Sequence, residues 1–232
     1  MNYKIEFNKL FSYSFSLDCL IFGFKKGQIH ILLIKRNMEP FLGDWAIPGD
    51  LVYPDEDLDE AGKRILHDLT NLDNIELHQS QTFGNPKRHP QGRVITCAYF
   101  ALTKIDEVNA VASSWANEVK WIPIHEIGKL AFDHNEILNS TFEMLKGKLL
   151  NQPVCFDLLP YKFTLFDIQQ LYEYAFDSAF NKANFRKKIR HIPLISHEEK
   201  QKNVKHRPAK LYSFDLKKYL ELLEKQEYSF KM

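Results

Sequence analysis

The stretch Asp57–Leu72, DLDEAGKRILHDLTNL, sets Leu58, Ala61, Ile65, Leu69 and Leu72 at spacings of three and four. Only an α-helix brings such positions onto one face. A helix with one apolar stripe must bury it against a second layer. The flanks say what that layer is. SLDCLIFGF (Ser16–Phe24) and QIHILLIKR (Gln28–Arg36) are apolar runs of strand length, and the intervening KKG fits a short hairpin turn. DWAIPGDLVYP (Asp44–Pro54) reads as extended. IELHQSQTFG and RVITCAYFALT (Arg93–Thr103) read as strands around the polar loop NPKRHPQG. EVKWIPIHEIGKL (Glu118–Leu130) reads as a strand followed by a short helix. The expected class is therefore α+β, with a helix laid on a sheet. Gly62 inside the helix costs about 1 kcal/mol relative to Ala; close packing is the expected reason for it.

Charge divides the chain. Residues 1–150 carry 16 Lys and Arg against 20 Asp and Glu, a net of −4; residues 151–232 carry 15 against 10, a net of +5. The total of +1 hides this asymmetry, which points to two domains, the second suited to a polyanion. The three cysteines, Cys19, Cys97 and Cys155, are odd in number, widely spaced and without a CxxC pair. That excludes a disulfide framework and a zinc site. Cys19 and Cys97 lie in strand-like runs, where a thiol behaves as a small hydrophobe. The opening MNYKIEFNKL has no signal-peptide pattern, and no apolar run reaches the length of a membrane span. A cytoplasmic setting and no membrane partner are expected.

The first domain closes with a helix expected from Asp133, with Asp133 as N-cap, Glu136 completing a capping box, and Ile137, Leu138, Phe142 and Leu145 as its apolar face. The pattern breaks at Asn151-Gln152-Pro153, which reads as a linker between domains 1–150 and 154–232. TLFDIQQLYEYAF (Thr164–Phe176) is a helix capped by Thr164. NKANFRKKIRHI (Asn181–Ile192) is a second, capped by Asn181, apolar at Phe185, Ile189 and Ile192 and basic elsewhere. A strand, a charged loop and a strand (Ala209–Phe214) follow. Helix, turn, basic helix and charged hairpin is the order of a winged helix-turn-helix. From Lys182 to Lys210 there are ten Lys and Arg against two Glu.

PGDLVYPDEDLDEAGKRILHDLTNL (Pro48–Leu72) resembles the Nudix box. Written by residue type, that box is Gly, five residues, Glu, seven residues, Arg-Glu, an apolar residue, any, Glu-Glu, any, Gly, apolar. The match begins at Asp50 and keeps Glu56, Arg64, Leu66 and Leu72. It has Ile65 where the Glu of Arg-Glu belongs, Asp68-Leu69 for the Glu pair, and Asn71 for Gly. Nudix hydrolysis needs Mg²⁺ held by that Glu cluster, and Mg²⁺ requires carboxylate oxygens in near-octahedral geometry. Ile65 and Leu69 cannot ligate; the helix offers Asp68, with Glu60 or Asp57 as further candidates, and Asp68 sets its oxygens back by about 1.5 Å relative to Glu. The box therefore reads as scaffold, with no catalytic residues, metal or cofactor; a Nudix hydrolase with an atypical metal set is the rival, and a scaffold binding RNA or protein a third reading.

LLIKR, GDWAIPG, RVITCAYFAL and EVKWIPIHEI stand in Nudix order around the box. FDHNEIL (Phe132–Leu138), FDLLPYKFTLFDIQQLYE (Phe156–Glu173), NKANFRKKI and HRPAKLYSFD (His206–Asp215) extend the likeness. From Ser16 to Asp215 the chain resembles the Nudix-related transcriptional regulators, bacterial repressors or activators of NAD or sugar-catabolic genes. The resemblance implies a Nudix-like α/β/α sandwich with a mixed sheet that binds an effector, a C-terminal winged helix, and a homodimer on a palindromic operator. Effectors in this family include ADP-ribose-type nucleotides and pentoses such as arabinose; the worn box looks closer to the sugar-sensing branch.

Effector contacts are expected from Arg36, Trp45, Glu56, Phe83, Arg88, Arg93, Tyr99, Asp133 and His134. Aromatic rings stack on bases or sugars, and Arg or Asp fix phosphates or hydroxyls. On the DNA side, Asn184, Arg186, Lys187 and Arg190 are expected in the major groove, Lys205, His206, Arg207 and Lys210 along the flanking backbone or minor groove, and Thr164 on a phosphate through its helix N-terminus.

Overall fold

The computed structural model describes residues 13–201, 207–226 and 228–232. Lys205 and His206, two of the expected DNA contacts, lie outside the described residues. Nine strands are described: β1 (Ser14–Lys25), β2 (Gln28–Arg36), β3 (Trp45–Ala46), β4 (Gly49–Leu51), β5 (His78–Phe83), β6 (Val94–Thr103), β7 (Ala116–Pro123), β8 (Leu194–Lys200) and β9 (Lys210–Phe214). The first seven form one sheet in the order β3-β2-β1-β6-β5, with β4 paired to β1 and β7 to β2. β1 is central because Leu17 to Phe22 are apolar or shielded on both faces. Its turn into β2 uses two consecutive left-handed residues, Lys26 (φ 51°) and Gly27 (φ 79°), the conformation a tight hairpin demands.

The amphipathic stripe becomes α1 (Leu58–Thr70). Asp57 and Glu60 close a capping box at its start. Ala61, Ile65, Leu66 and Leu69 are buried in one core with Leu17, Cys19, Ile21, Leu32, Ile34 and Cys97. Each such large side chain contributes about 1.5–3 kcal/mol through burial. Gly62 does serve close packing: a Cβ there would sit 2.8 Å from the Leu77 side chain. Asn71, which stands in the box position of Gly, ends the helix at φ 53°, and its N–H donates to the His67 carbonyl. Asn tolerates the left-handed conformation better than most residues, so this substitution keeps the turn.

α2 (His134–Asn151) follows, then α3 (Cys155–Leu158), α4 (Leu165–Phe176), α5 (Lys182–Ile189) and α6 (Leu216–Glu224). The sequence reading lacks α3 and α6, and the expected linker residue Asn151 is the last residue of α2. The basic helix stops at Ile189 rather than Ile192. Two compact units emerge. One takes the residues up to Phe22, Ile31–Ala101 and Val108–Phe142; the other takes Gly23–His30, Leu102–Glu107 and the chain from Glu143 onward. Cys19, Cys97 and Cys155 are buried free thiols. Among the described residues no helix is long and apolar enough to cross a membrane.

Candidate functional site

The first unit carries a cleft of about 430 Å³ over the end of β1. Ser14, Ser16 and Asp18 of β1, Arg36 at the end of β2, Gly49 to Leu51 of β4, the loop from Arg88 to Val94, Trp115, Phe132 and His134 line it. Its floor is a buried charge network. Arg88 donates through Nε and Nη2 to both carboxylate oxygens of Asp133, at 2.9 and 2.8 Å. Its Nη2 also faces Asp18 at 3.4 Å. Asp18 accepts a further bond from the Thr96 hydroxyl at 2.7 Å, and His134 Nε2 lies 3.3 Å from its other oxygen. The Ile47 N–H donates to His134 Nδ1 at 2.9 Å, so the proton on this ring is on Nε2, aimed at Asp18. Burial alone would raise the Asp18 pKa, but His134, Arg88 and Thr96 together hold it below the usual carboxylate value.

That direction carries a sign. A carboxylate with a depressed folded-state pKa contributes stability above its unfolded value and loses it as pH falls through the folded one. The wild-type chain should therefore destabilise more steeply than Asp18→Asn on acidification below about pH 4. Chemical denaturation at a series of pH values measures this; parallel curves would refute it.

Above the floor runs a ladder of flat groups. The Arg36 guanidinium stacks 4.9 Å from both the Trp115 and Phe132 rings, and its Nε donates to the Pro40 carbonyl. Phe132 in turn stacks on His89 at 5.1 Å and meets Phe41 at 4.6 Å. Phe132 (φ 52°) and Phe41 (φ 66°) are both left-handed. Such conformations cost about 1–3 kcal/mol each in non-glycine residues and cluster at ligand sites. Gly49 has a steric reason instead: a Cβ there would lie 2.3 Å from Asp18 Oδ1 and 2.7 Å from the Leu17 carbonyl oxygen. Gly49→Ala should displace Asp18 and destabilise by about 1–3 kcal/mol, as overpacking does; an unchanged melting temperature would count against this.

Of the expected effector residues, Arg36, Arg88, Arg93 and His134 line the cleft. Asp133 stands behind Arg88. Its carboxylate turns to that guanidinium, so the capping-box reading of Asp133 gives way to a charge pair. Trp45, Glu56, Phe83 and Tyr99 are not in the lining. Trp45 is half-buried, with the Lys35 ammonium 6.0 Å from its ring. Phe83 is half-buried at the end of β5. Tyr99 is in the core, its hydroxyl donating to Asp59 at 3.2 Å, and burial first, then Asp59, pushes its pKa up to about 12. Asp18, Trp115, Phe132 and His89 escaped the sequence reading. Asp18 left a trace: it is an acid inside the apolar run SLDCLIFGF, where an unpaired charge could not be buried.

Glu56 belongs to the box and serves Arg64. The guanidinium donates to it through Nε at 2.8 Å and Nη2 at 2.7 Å, and donates to the Leu51 carbonyl at 2.8 Å. These bonds, above all, lower the Glu56 pKa. Nη1 of the same group lies 3.7 Å from Asp50 and 3.8 Å from Asp68, and Tyr53 stacks on it at 3.8 Å. Ile65 and Leu69 point into the core. A guanidinium thus stands among Asp50, Glu56 and Asp68, and the box positions of the other two Glu are the buried hydrocarbons Ile65 and Leu69. This donor set does not fit Mg²⁺, which needs carboxylate oxygens in near-octahedral array.

The second unit presents a cationic face. Glu173 and Gln169 of α4 bond the backbone of Phe180 and so fix the turn between the helices. The Asn181 side chain caps α5 through the N–H groups of Ala183 and Asn184. Phe185 and Ile189 are buried, with Phe185 stacked on Phe180 at 5.7 Å. Helical geometry then turns Asn184, Arg186 and Lys187 outward, with Arg190 at the C-cap; all four are exposed. β8 and β9 pair as a wing, and Phe163 bridges Tyr212 as a short third strand. Arg207 and Lys210 are exposed on the wing. Thr164, expected on a phosphate, is instead buried, and its N–H and hydroxyl both donate to Asp167 at 2.7 and 2.9 Å. That carboxylate already takes the place a phosphate would need.

A Nudix-type cleft joined to a winged helix with an outward basic helix defines a two-domain regulator. The comparisons agree. The Nudix domain family matches residues 13–142, and the NrtR DNA-binding winged helix domain matches residues 155–214. The ADPR responsive transcriptional repressor NtrR of Acinetobacter baylyi is 32% identical over 88% of this chain and 83% of its own. Shewanella oneidensis NrtR complexed with a 27mer DNA is 28% identical, with a TM-score of 0.70 over 93% of this chain and 97% of that one. The NUDIX domain of the same Shewanella protein, complexed with ADP ribose, is 29% identical, with a TM-score of 0.55 over 59% and 92%. The chain belongs to the NrtR family of Nudix-related transcriptional regulators.

Proposed function

We propose that this protein is a transcriptional repressor that binds a palindromic operator as a homodimer and answers to an ADP-ribose-like nucleotide held, without hydrolysis, in the cleft over Asp18. The observation that carries the DNA half is α5, whose buried positions are apolar while its outward positions are Asn184, Arg186, Lys187 and Arg190. The effector half is supported by the relatives that respond to or hold ADP-ribose. Cleft chemistry points the same way. Three Arg side chains and a stack of rings suit a pyrophosphate and a base, and about 430 Å³ is more room than a pentose fills. The leaning toward a pentose, read from the worn box, therefore gives way to the nucleotide.

The reading without hydrolysis is supported by donor chemistry, since Ile65 and Leu69 offer no oxygen where the box places Glu and Glu56 is paired with Arg64. Coupling requires the effector to bind one arrangement of the dimer more tightly than another. α2 begins at His134, on the cleft, and continues to Asn151, which makes it the connecting element. Titration calorimetry of the full chain with ADP-ribose and with arabinose, in Mg²⁺ and in EDTA, tests the effector. ADP-ribose should bind in both buffers without release of AMP. Binding of arabinose alone, or Mg²⁺-dependent turnover, would overturn the reading.

A further inference from the structure

Helix α6 turns a row of leucines outward. Leu216, Leu220 and Leu223 are all exposed, whereas Tyr219 and Leu222 beside them are half-buried. Tyr219 explains the inner side: its ring meets Phe214 at 5.4 Å and Tyr228 at 5.8 Å. At about 100° per residue the three leucines fall within roughly 60° of one another. Single exposed apolar residues are ordinary, but an aligned row on one helix marks an interaction surface. Spacings of four and then three are those of a paired-helix seam.

We propose that this row docks on its own copy, two α6 helices pairing antiparallel about a two-fold axis between Leu220 and Glu221. Charge selects that occupant and that direction. Lys217 and Glu224 are the exposed charges closest to the leucine row, on the same side of it and at opposite ends of the helix. The axis sets Lys217 level with Glu224 of the partner subunit on the same flank, and the reverse. Parallel pairing about a two-fold would put these charges on opposite flanks of the seam, so that neither Lys217 meets a Glu224. The same axis interleaves the leucines. At about 1.5 Å rise per residue, the copy's three side chains fall at levels between those of this helix, with no two coinciding. Self-complementarity of one patch is what a two-fold interface requires. A pair of helices this short buries too little for a stable dimer, which needs about 1,200–2,000 Å² in all. The contact therefore rests on the proposed dimer and sets the spacing of its winged helices.

Cysteine cross-linking in the full chain tests this, with low background because the native cysteines are buried. Leu220→Cys, next to the axis, should convert to a disulfide dimer under mild oxidation. Leu216→Cys should not, since the two copies of position 216 lie at opposite ends of the pair; Leu216→Cys with Leu223→Cys should, because these face each other at levels about 3 Å apart. Lys217→Glu should lower the Leu220→Cys yield severalfold, and adding Glu224→Lys should restore it. Equal yields at positions 216 and 220, or none at 220, would overturn the pairing. Sedimentation of the wild-type chain separates the two failures: a dimer that does not cross-link loses only this interface, whereas a monomer loses the dimer reading too.

Discussion

Arg88→Ala should cost about 3–5 kcal/mol of stability, the usual consequence of removing one partner from a buried ion pair. The Arg88 and Asp18 side chains are only 4% and 6% exposed, so water cannot replace the guanidinium. Asp133 would lose two hydrogen bonds and Asp18 its cationic neighbour, leaving carboxylates uncompensated beneath the cleft. Arg88→Lys should recover little, because a single ammonium cannot meet both oxygens of Asp133 as the fork does. Arg88→Met with Asp133→Asn and Asp18→Asn should recover a large part, since all three charges leave together. Urea denaturation of the three variants gives the comparison. A loss below 1 kcal/mol for Arg88→Ala would mean that the network is solvated. Effector affinity should fall in every variant, because the loop from Arg88 to Val94 is a wall of the cleft.

Arg186→Ala with Arg190→Ala should weaken operator binding more than any change in the wing. A contact to a base edge is worth about 1–3 kcal/mol at one position of the site, and a phosphate contact weakens all sequences alike. The two roles separate in salt: each lost phosphate contact lowers the slope of log affinity against log salt by about 0.9. Both residues are exposed at the end of α5, and Phe185 and Ile189 hold that helix without their help. Folding should therefore be unchanged, and melting curves matching the wild type would show it. Fluorescence anisotropy on the operator upstream of the chain's own gene, at several salt concentrations, gives affinity and slope. Unchanged affinity would remove α5 from the DNA interface. Lys187→Ala should behave as a phosphate contact, with a change in slope and none in sequence preference.

The amino-acid pattern by itself determined the longer elements, though not α3 or α6. Leu58, Ala61, Ile65 and Leu69 specify a helix with one buried stripe; the apolar runs around Leu20 and Leu32 specify inner strands; Phe185 and Ile189 orient the basic helix. These are local periodicities, and burial of the apolar side follows from them. The loss of box carboxylates was equally legible, residue by residue. What the pattern left open was convergence. Asp18, Arg88, Asp133 and His134 come from a strand, a loop and the start of a helix, and nothing in their spacing announces that they meet. Asp133 followed by Glu136 looked like a capping box because the local rule is sound; only the fold supplied Arg88, a charged partner stronger than a backbone N–H. Thr164 looked free to bind phosphate until Asp167 took its N–H and hydroxyl. Helix propensity and apolar periodicity act over a few residues and can be read along the chain. Pairing of buried charges depends on which segments the sheet order β3-β2-β1-β6-β5 brings together, so only the tertiary structure could decide it.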